Sequence, residues 1–346
     1  MSVKALLYSE PGDRSVLHYA DTSDPTPGAR DVVIDVAATA LNHLDVVQRN
    51  GWFTMPGMTL PHIAGMDVVG TVSEIGSEVT RLKVGDRVVI DPSLAEVPEG
   101  SKLAGMGDLY GELGVIGATV AGGYAERCLV PETHAHVLPA DMGWHQAVCF
   151  PTAWLTAHHA LFTVGRLTGG ETVMIHAAGS GVSMAGIQLA KHSGAIVLAT
   201  AGSDDKCERA LGLGADYVCN NRTDDVTGWS QGVTQGAGVD MVFDHVGPAL
   251  WAQSMFSLKP RGRLVNCGNT TGDTATIPSL GFMFHMGISI IGSDPYRHDE
   301  FATAWNLYAG GRFQAPVDSV FALRDGADAQ DKMLSSEFFG KIVLEP

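Results

Sequence analysis

The sequence predicts an α/β protein that combines a β-rich region with a doubly wound parallel sheet. Up to about residue 130, short apolar runs are separated by turn signals. From about residue 150 to 294, strand-like runs alternate with helix-like runs, and the first of these strands leads into a glycine-rich turn. Alternation of strands and helices implies βαβ units, whose parallel strands form one sheet with helices on both faces.

The β-rich region contains three clear strand predictions. They cover residues 32–37, 68–75 and 87–90, with turn signals at Gly76 and at Gly85-Asp86. Residues 93–111 are rich in Gly, Pro, Glu and Ser and predict a surface loop.

The second region is predicted to alternate regularly. Its predicted strands are 172–177, 196–200, 217–219, 239–244, 263–267 and 289–292, and its clearest helices are 184–193 and 204–213. The tail is predicted to add a helix over 299–309 and a closing strand over 341–345.

Composition excludes several classes of function. The 38 acidic and 22 basic residues give a formal net charge of -16, which disfavours binding to nucleic-acid phosphates. The sequence has no long apolar run that predicts a membrane span, and no signal peptide is visible. Five scattered Cys without a CxxC pattern fit a reducing environment, so we expect a cytoplasmic protein.

The most specific motif is HAAGSGVSMAG, residues 176–186. It follows an apolar strand and opens an amphipathic helix, which is the context a dinucleotide-binding turn requires. Gly179 and Gly181 would allow a tight turn, and the N–H groups of Ser180, Gly181 and Val182 would face a pyrophosphate. Ser183 stands where a third small residue is normal, and its hydroxyl could contact phosphate or ribose. These residues predict nicotinamide cofactor binding.

The choice between NADPH and NADH depends on the end of the second strand of this region. No acid ends that strand to bind a ribose 2′-hydroxyl; the residues there are Thr200, Ala201, Gly202 and Ser203. Ser203, Lys206 and Asn221, with Arg222 beside it, could bind a 2′-phosphate. Alternatively, Ser203 caps the next helix, Lys206 is a solvated residue, and Asp204 or Asp205 serves NADH. We expect NADPH, with NADH possible.

Several further motifs occur in a recognisable order. They are ALNHLD (40–45), PHIAGMDVVGTVSEIG (61–76), KVGDRVV (83–89), GGYAERCLVP (122–131), LGADYV (213–218) and FGKIVL (339–344). Together with the glycine-rich turn, they resemble the medium-chain dehydrogenase/reductase superfamily, in its quinone oxidoreductase and zinc-binding-dehydrogenase-like branches. The resemblance implies a GroES-like catalytic domain over residues 1–134 and 295–346 and a Rossmann domain over 135–294. It also implies a homodimer or homotetramer joined through the Rossmann sheets.

Zinc alcohol dehydrogenases of this superfamily bind a catalytic metal through Cys, His and a later Cys or Asp. The matching positions here are Asn42, Met66 and Thr152, which are poor zinc ligands. The structural zinc lobe would fall in residues 94–111, which contain no Cys. We therefore expect no metal, although His62, His158 or His159 with Asp67 could form a site that the family does not use.

The resemblance assigns roles to three neighbouring residues. Asn42 matches the Asn that replaces the zinc Cys in quinone oxidoreductases and lies near the nicotinamide. His43 matches a contact to the cofactor pyrophosphate, or is a half-buried structural histidine. Asp45 could orient its neighbours or the ribose. Val47 stands where some relatives have a Tyr proton donor, so His43, Asp45 and solvent remain the candidate proton sources.

Three more positions are implied to border the cofactor. Thr156 matches a Thr that faces the nicotinamide, Asn269 lies in the NCGNTT segment (266–271) after a Rossmann strand, and Lys341 lies in the closing FGKIVL motif. A surface position is the alternative for Lys341.

Without a metal, conjugated C=C–C=O compounds and quinones suit hydride transfer, because negative charge moves to an oxygen that donors can stabilise. We expect an NADPH-dependent oxidoreductase that acts on such a small molecule. Two alternatives are a zinc-free alcohol dehydrogenase or carbonyl reductase, and a nucleotide-binding protein without catalysis.

Overall fold

The computed structural model describes residues 2–55, 57–94, 114–293 and 296–346. The chain divides into two compact units, Met1–Thr152 with Arg297–Pro346, and Ala153–Tyr296. The first boundary lies later than residue 134, because helix α2 (Trp144–Val148) packs on strands of the β-rich unit. The expected loop and zinc-lobe segment falls almost wholly in 95–113, outside the described residues.

The first part of the chain forms mostly antiparallel structure. Its strands are β1 (Ser2–Tyr8), β2 (His18–Ser23), β3 (Asp31–Ala40), β4 (His62–Ile63), β5 (Asp67–Ile75), β6 (Arg87–Ile90), β7 (Ser93–Leu94), β8 (Gly114–Val115), β9 (Arg127–Pro131) and β10 (Ala135–Val137). Helix α1 (His43–Arg49) follows β3 directly. The alternating apolar residues of β3, β5, β6 and β9 point into one shared core, as expected for strands with one buried face.

The second unit is a parallel sheet covered by helices. Its strands are β11 (Thr172–Ile175), β12 (Ile196–Ala201), β13 (Tyr217–Asn220), β14 (Val239–Asp244), β15 (Leu258–Asn266) and β16 (Ser289–Gly292). Its helices are α3 (Pro151–His158), which begins two residues before the boundary, α4 (Gly181–His192), α5 (Asp204–Gly212), α6 (Val226–Val233), α7 (Trp251–Ser257) and α8 (Leu280–Met286).

The strand order of this sheet is β13-β12-β11-β14-β15-β16, and every neighbouring pair is parallel. This is the doubly wound Rossmann order, with its switch point between β11 and β14. Strand β14 is buried at every position, and its sequence is apolar apart from Asp240 and Asp244. Helix α4 packs closely on the sheet at Gly186, where a Cβ would lie 3.2 Å from the Phe243 ring.

The tail returns to the β-rich unit. It contains α9 (His298–Ala309), β17 (Val317–Ala322), α10 (Gly326–Ser335) and β18 (Lys341–Glu345). Strand β18 pairs with β3, so the main sheet of this unit has the order β10-β6-β5-β3-β18-β17, with β9 also paired to β3. The prediction of a GroES-like β-rich domain plus a Rossmann domain is confirmed. Pairing of β18 with β3 brings Lys341 close to the residues that follow β3.

Candidate functional site

The glycine-rich turn leads directly from β11 into α4. Ser180 is the N-cap of the helix in extended conformation, and its side chain caps no backbone N–H group. The N–H groups of Gly181, Val182 and Ser183 lie in the first turn, where a helix offers no carbonyl partner. The residue with left-handed backbone is Ala177 (φ +52°), whereas Gly179 and Gly181 are absent from the positive-φ positions. The two glycines therefore serve by lacking side chains rather than by unusual φ angles.

A network of buried polar side chains holds this turn in place through hydrogen bonds. His176 is fully buried, with Nδ1 2.9 Å from Thr200 Oγ1 and Nε2 2.8 Å from Ser254 Oγ. Burial lowers the pKa of His176 to about 3, so its imidazole is neutral. Ser183 Oγ donates to the His176 carbonyl (2.6 Å) and lies 2.7 Å from His245 Nε2. The Ser183 hydroxyl is thus bonded inside the protein, which does not support the expected contact with phosphate or ribose.

The end of β12 presents no acid to a bound ribose. Ser203 is the N-cap of α5 and accepts a hydrogen bond from Lys206 N, as the structural alternative expected. Asp204 accepts from Asn220 Nδ2 at 2.7 Å. A Cβ at Gly202 would lie 3.2 Å from Arg222 Nε, so the guanidinium lies beside the strand end.

The remaining predicted cofactor residues of this unit lie on different elements. Lys206 is half-buried on α5, and Asn221 follows β13 and donates its backbone N–H to the Ala201 carbonyl. Thr156 is half-buried on α3. Asn269 is exposed beyond β15, and its Nδ2 donates to Asp273 at 2.9 Å.

The β-rich unit contains a polar cluster centred on Lys341. Its Nζ lies 2.8 Å from Asp67 Oδ2, donates to Asn42 Oδ1 at 2.8 Å and donates to the Leu41 carbonyl at 2.7 Å. The side chains of Lys341 and Asp67 are 5% and 0% exposed. Lys341 is therefore a buried partner of the predicted Asn42, not the surface residue that the alternative described.

Asn42 and Thr152 donate the remaining hydrogen bonds to Asp67. Asn42 Nδ2 donates to Asp67 Oδ2 at 3.0 Å, and Thr152 N donates to Asp67 Oδ1 at 2.8 Å. The ion pair and these two hydrogen bonds thus satisfy a carboxylate that would be costly to bury alone. The Asn42 amide is occupied on both its oxygen and its nitrogen, so its role here is to position neighbours.

Asp45 anchors the start of α1. Its Oδ2 accepts from Asn42 N and from Tyr124 OH, both at 2.8 Å. Burial raises the pKa of Asp45 to about 6, against the lowering effect of these hydrogen bonds. Because the side chain is buried and accepts two hydrogen bonds, the geometry makes Asp45 a positioning residue.

His43 is the first residue of α1. Burial, with a smaller contribution from Lys341, lowers its pKa to about 4. Its imidazole is therefore neutral near pH 7, which makes it a weak proton donor.

The comparisons with known proteins agree with this architecture. Residues 28–140 match the family described as "Alcohol dehydrogenase GroES-like domain", and residues 181–310 match the family "Zinc-binding dehydrogenase". Quinone oxidoreductase of Pseudomonas aeruginosa is 30% identical over 99% of both chains. Acryloyl-coenzyme A reductase of Sulfurisphaera tokodaii is 26% identical, over 97% of this chain and 98% of its own length.

Solved structures show the same similarity. An NAD-dependent alcohol dehydrogenase superposes with a TM-score of 0.90 at 32% identity over 99% of both chains. Escherichia coli quinone oxidoreductase complexed with NADPH gives a TM-score of 0.82 at 25% identity, over 99% of this chain and 100% of that one.

The chain belongs to the medium-chain dehydrogenase/reductase superfamily, as a quinone-oxidoreductase-like member. It is an oxidoreductase enzyme of that superfamily, and its relatives support a nicotinamide cofactor. Within the described residues, no helix is long and apolar enough to cross a membrane.

The description of the matched family, "Zinc-binding dehydrogenase", implies a catalytic zinc ion, and the residues present do not fit one. Asn42 and Thr152 engage Asp67 as described, and Met66 packs in an apolar cluster with Met55 and Ala118. His62 Nε2 lies 3.1 Å from the Gly117 carbonyl. The Lys341 ammonium already occupies the oxygens of Asp67 and Asn42, so a cation would have to displace it.

The sequence reasoning missed three residues that build these sites. Tyr124, His245 and Ser254 lie far along the chain from their partners Asp45, Ser183 and His176. A polar residue within an otherwise apolar stretch indicates a buried hydrogen bond, but the sequence does not identify the partner in that bond.

Proposed function

We propose that this enzyme transfers a hydride from NADPH to a quinone or an activated alkene, without a metal at the reacting centre. The observation that carries the proposal is the buried Lys341 ammonium, which is bonded to Asn42, at a position that matches a zinc ligand of metal-dependent relatives, and to Asp67, which follows another such position. A substrate that carries its own conjugated electron acceptor needs less polarisation by a Lewis acid.

The cofactor pyrophosphate is proposed to bind at the N-terminus of α4. The N–H groups of Gly181 and Val182 and the positive end of the helix dipole suit its negative charge. NADPH, when bound there, supplies the hydride.

Preference for NADPH over NADH is supported by the charges near the end of β12. Arg222 lies beside Gly202, and the carboxylate of Asp204 is engaged by Asn220. A guanidinium is well suited to a phosphate monoester, since it can donate two parallel hydrogen bonds.

The residues of the Lys341 cluster are proposed to shape the site rather than to exchange protons. The neutral His43 is a weak acid, and Asp45 is enclosed by Asn42 and Tyr124. We infer that the product oxygen or carbon takes its proton from solvent.

We also propose a homodimer formed through the parallel sheet. Strand β16 is an edge of that sheet, and the neighbouring helix α8 exposes Leu280 and Phe284 by 65% and 67%. Exposed apolar groups of this size beside a free edge suit a second copy of the chain. Light scattering should give twice the chain mass, and Phe284→Glu should lower it to one chain.

The function is tested by following NADPH and NADH oxidation with quinones, enones, ketones and aldehydes, before and after treatment with a strong chelator. Chelator-resistant turnover of quinones or enones with NADPH supports the proposal. Turnover confined to alcohols and simple carbonyls would instead favour the alcohol dehydrogenase alternative. NADPH binding without turnover on the whole panel would favour a non-catalytic protein.

A further inference from the structure

We propose that Asp91, His134 and His298 form a binding site for a divalent transition-metal ion of the Zn²⁺ type. The site shares no residue with the cofactor turn or with the Lys341 cluster. One ligand atom from each of the three side chains lies within 4.8 Å of the other two. Among the described residues, this is the group of His, Cys, Asp or Glu side chains that is close enough to hold one metal ion.

Two of the three residues are held together by neighbouring strands. Asp91 follows β6 directly, and His134 ends a short 3-10 turn that leads into β10. Ile90 pairs with Ala135 in the antiparallel ladder, and Asp91 N donates to the His134 carbonyl at 2.8 Å. The side chains of Asp91 and His134 therefore emerge from backbone that is fixed by the sheet.

The third residue comes from a distant part of the chain. His298 is the first residue of α9, and its Nδ1 lies 2.6 Å from Asp91 Oδ2. Its ring lies tilted by 32° against that of His134, with centroids 4.5 Å apart. The His298 side chain is 34% exposed, whereas Asp91 is fully buried, so solvent reaches the group along one side.

A second observation, independent of the grouping, is that one ring nitrogen of His134 lacks a hydrogen-bond partner in the described part of the chain. His134 is buried, and its Nε2 has no partner at hydrogen-bond geometry among the described residues, although the Ser93 backbone lies near the ring. Its Nδ1 lies 2.9 Å from Thr133 Oγ1. When Nδ1–H donates to Thr133, the Nε2 lone pair is available to a metal ion, and the threonine is the outer partner that metal-binding histidines commonly have.

A neutral imidazole offers the lone pair of one nitrogen to a metal ion while the other nitrogen carries the proton. Leaving such a nitrogen unbonded in a buried position costs free energy.

A proton shared by Asp91 and His298 accounts for those two groups but not for His134. A metal ion in place of that proton would engage all three. Bonds of about 2.0–2.1 Å require tetrahedral ligand atoms to be about 3.3 Å apart. Asp91 and His298 would thus separate slightly from their present 2.6 Å. Two imidazoles and one carboxylate favour Zn²⁺ or Co²⁺ over Mg²⁺ or Ca²⁺, with water as a further ligand.

The expected role is structural. The ion would link the end of β6 to the start of α9 and would bind only the folded chain, so it should stabilise the fold without entering the reaction.

Cobalt provides the most direct test, because its visible absorption reports the ligand geometry. The full-length protein is stripped of metal, then titrated with Co²⁺ and, separately, with Zn²⁺. We expect saturation at one ion per chain, a visible Co²⁺ band that Zn²⁺ removes, and a higher melting temperature with Zn²⁺.

Single variants identify the site. His134→Ala and Asp91→Asn should each weaken binding by at least roughly tenfold, since even outer partners of metal ligands contribute that much. His145→Ala is the matched control, because His145 also pairs with a carboxylate, Glu345, at 2.7 Å. It should bind Co²⁺ like the parent chain, and circular dichroism establishes that each variant is folded.

Two results would overturn the proposal. One is a folded parent chain that binds neither ion at one per chain in the micromolar range. The other is binding that His134→Ala and His298→Ala leave unchanged, which would place the ion elsewhere.

Discussion

The cofactor turn and the Lys341 cluster obtain their geometry in different ways. In the turn, the main chain between β11 and α4 forms the binding surface, and side chains such as His176 and Ser183 only support it from inside. In the cluster, an ion pair between buried side chains defines the site. The comparison indicates that substitutions in the cluster should cost mainly stability, whereas substitutions on the turn should cost mainly cofactor affinity.

The largest effect is expected from Lys341→Met. This change leaves the Asp67 carboxylate buried without its cation, which should lower the free energy of unfolding by about 3–5 kcal/mol. Urea unfolding measures the loss. The double variant Lys341→Met/Asp67→Asn should recover part of it, because the unpaired charge is gone. A loss below about 1 kcal/mol would show that the pair behaves like an exposed one.

Gly181→Asp tests the turn. A carboxylate in the first turn of α4 suits the helix dipole, so the melting temperature should hardly change. Its charge would meet the pyrophosphate, and NADPH affinity should fall roughly 100-fold or more. Fluorescence titration measures the affinity, with Gly181→Ala as the control for added bulk alone. Unchanged binding in Gly181→Asp would refute the assigned position of the pyrophosphate.

Lowering the pH should reduce the free energy of unfolding through protonation of His176. Its pKa is lowered from 6.5 to about 3 in the folded chain. Between these two pH values, the unfolded chain therefore binds the proton more readily than the folded chain does. The contribution of His176 is complete above pH 6.5 and declines as the pH falls, by up to about 1.4 kcal/mol per pH unit. Urea unfolding between pH 7.5 and 5 should therefore show a steeper loss for the parent than for His176→Asn. Parallel curves would mean that His176 does not titrate as the buried position requires.

The smallest effect concerns the choice between cofactors. Arg222→Ala should weaken NADPH binding about tenfold, with little change for NADH, because a charged hydrogen bond to the 2′-phosphate is lost. Lys206→Ala should likewise weaken NADPH binding more than NADH binding. Equal losses for both cofactors would remove the basis for NADPH specificity.

Local patterns were sufficient to predict most of the fold. The strands over 239–244 and 289–292 were predicted with the same bounds that β14 and β16 have, because each is a short run rich in apolar residues between turn signals. The domain boundary was harder to predict, because helix α2 carries no signal for the unit on which it packs. For the turn, the sequence indicated the position but not the residue with positive φ, Ala177.

By itself, the sequence determined the family, the alternation of strands and helices in the Rossmann unit and the glycine-rich turn, since each is carried by short local motifs. The tertiary structure alone decided the partners of the buried polar groups. Lys341 reaches Asn42 and Asp67 only because β18 pairs with β3, and His298 reaches Asp91 only because α9 returns to the end of β6. Local patterns report which residues are buried, but a hydrogen bond between groups hundreds of residues apart depends on how the strands pair.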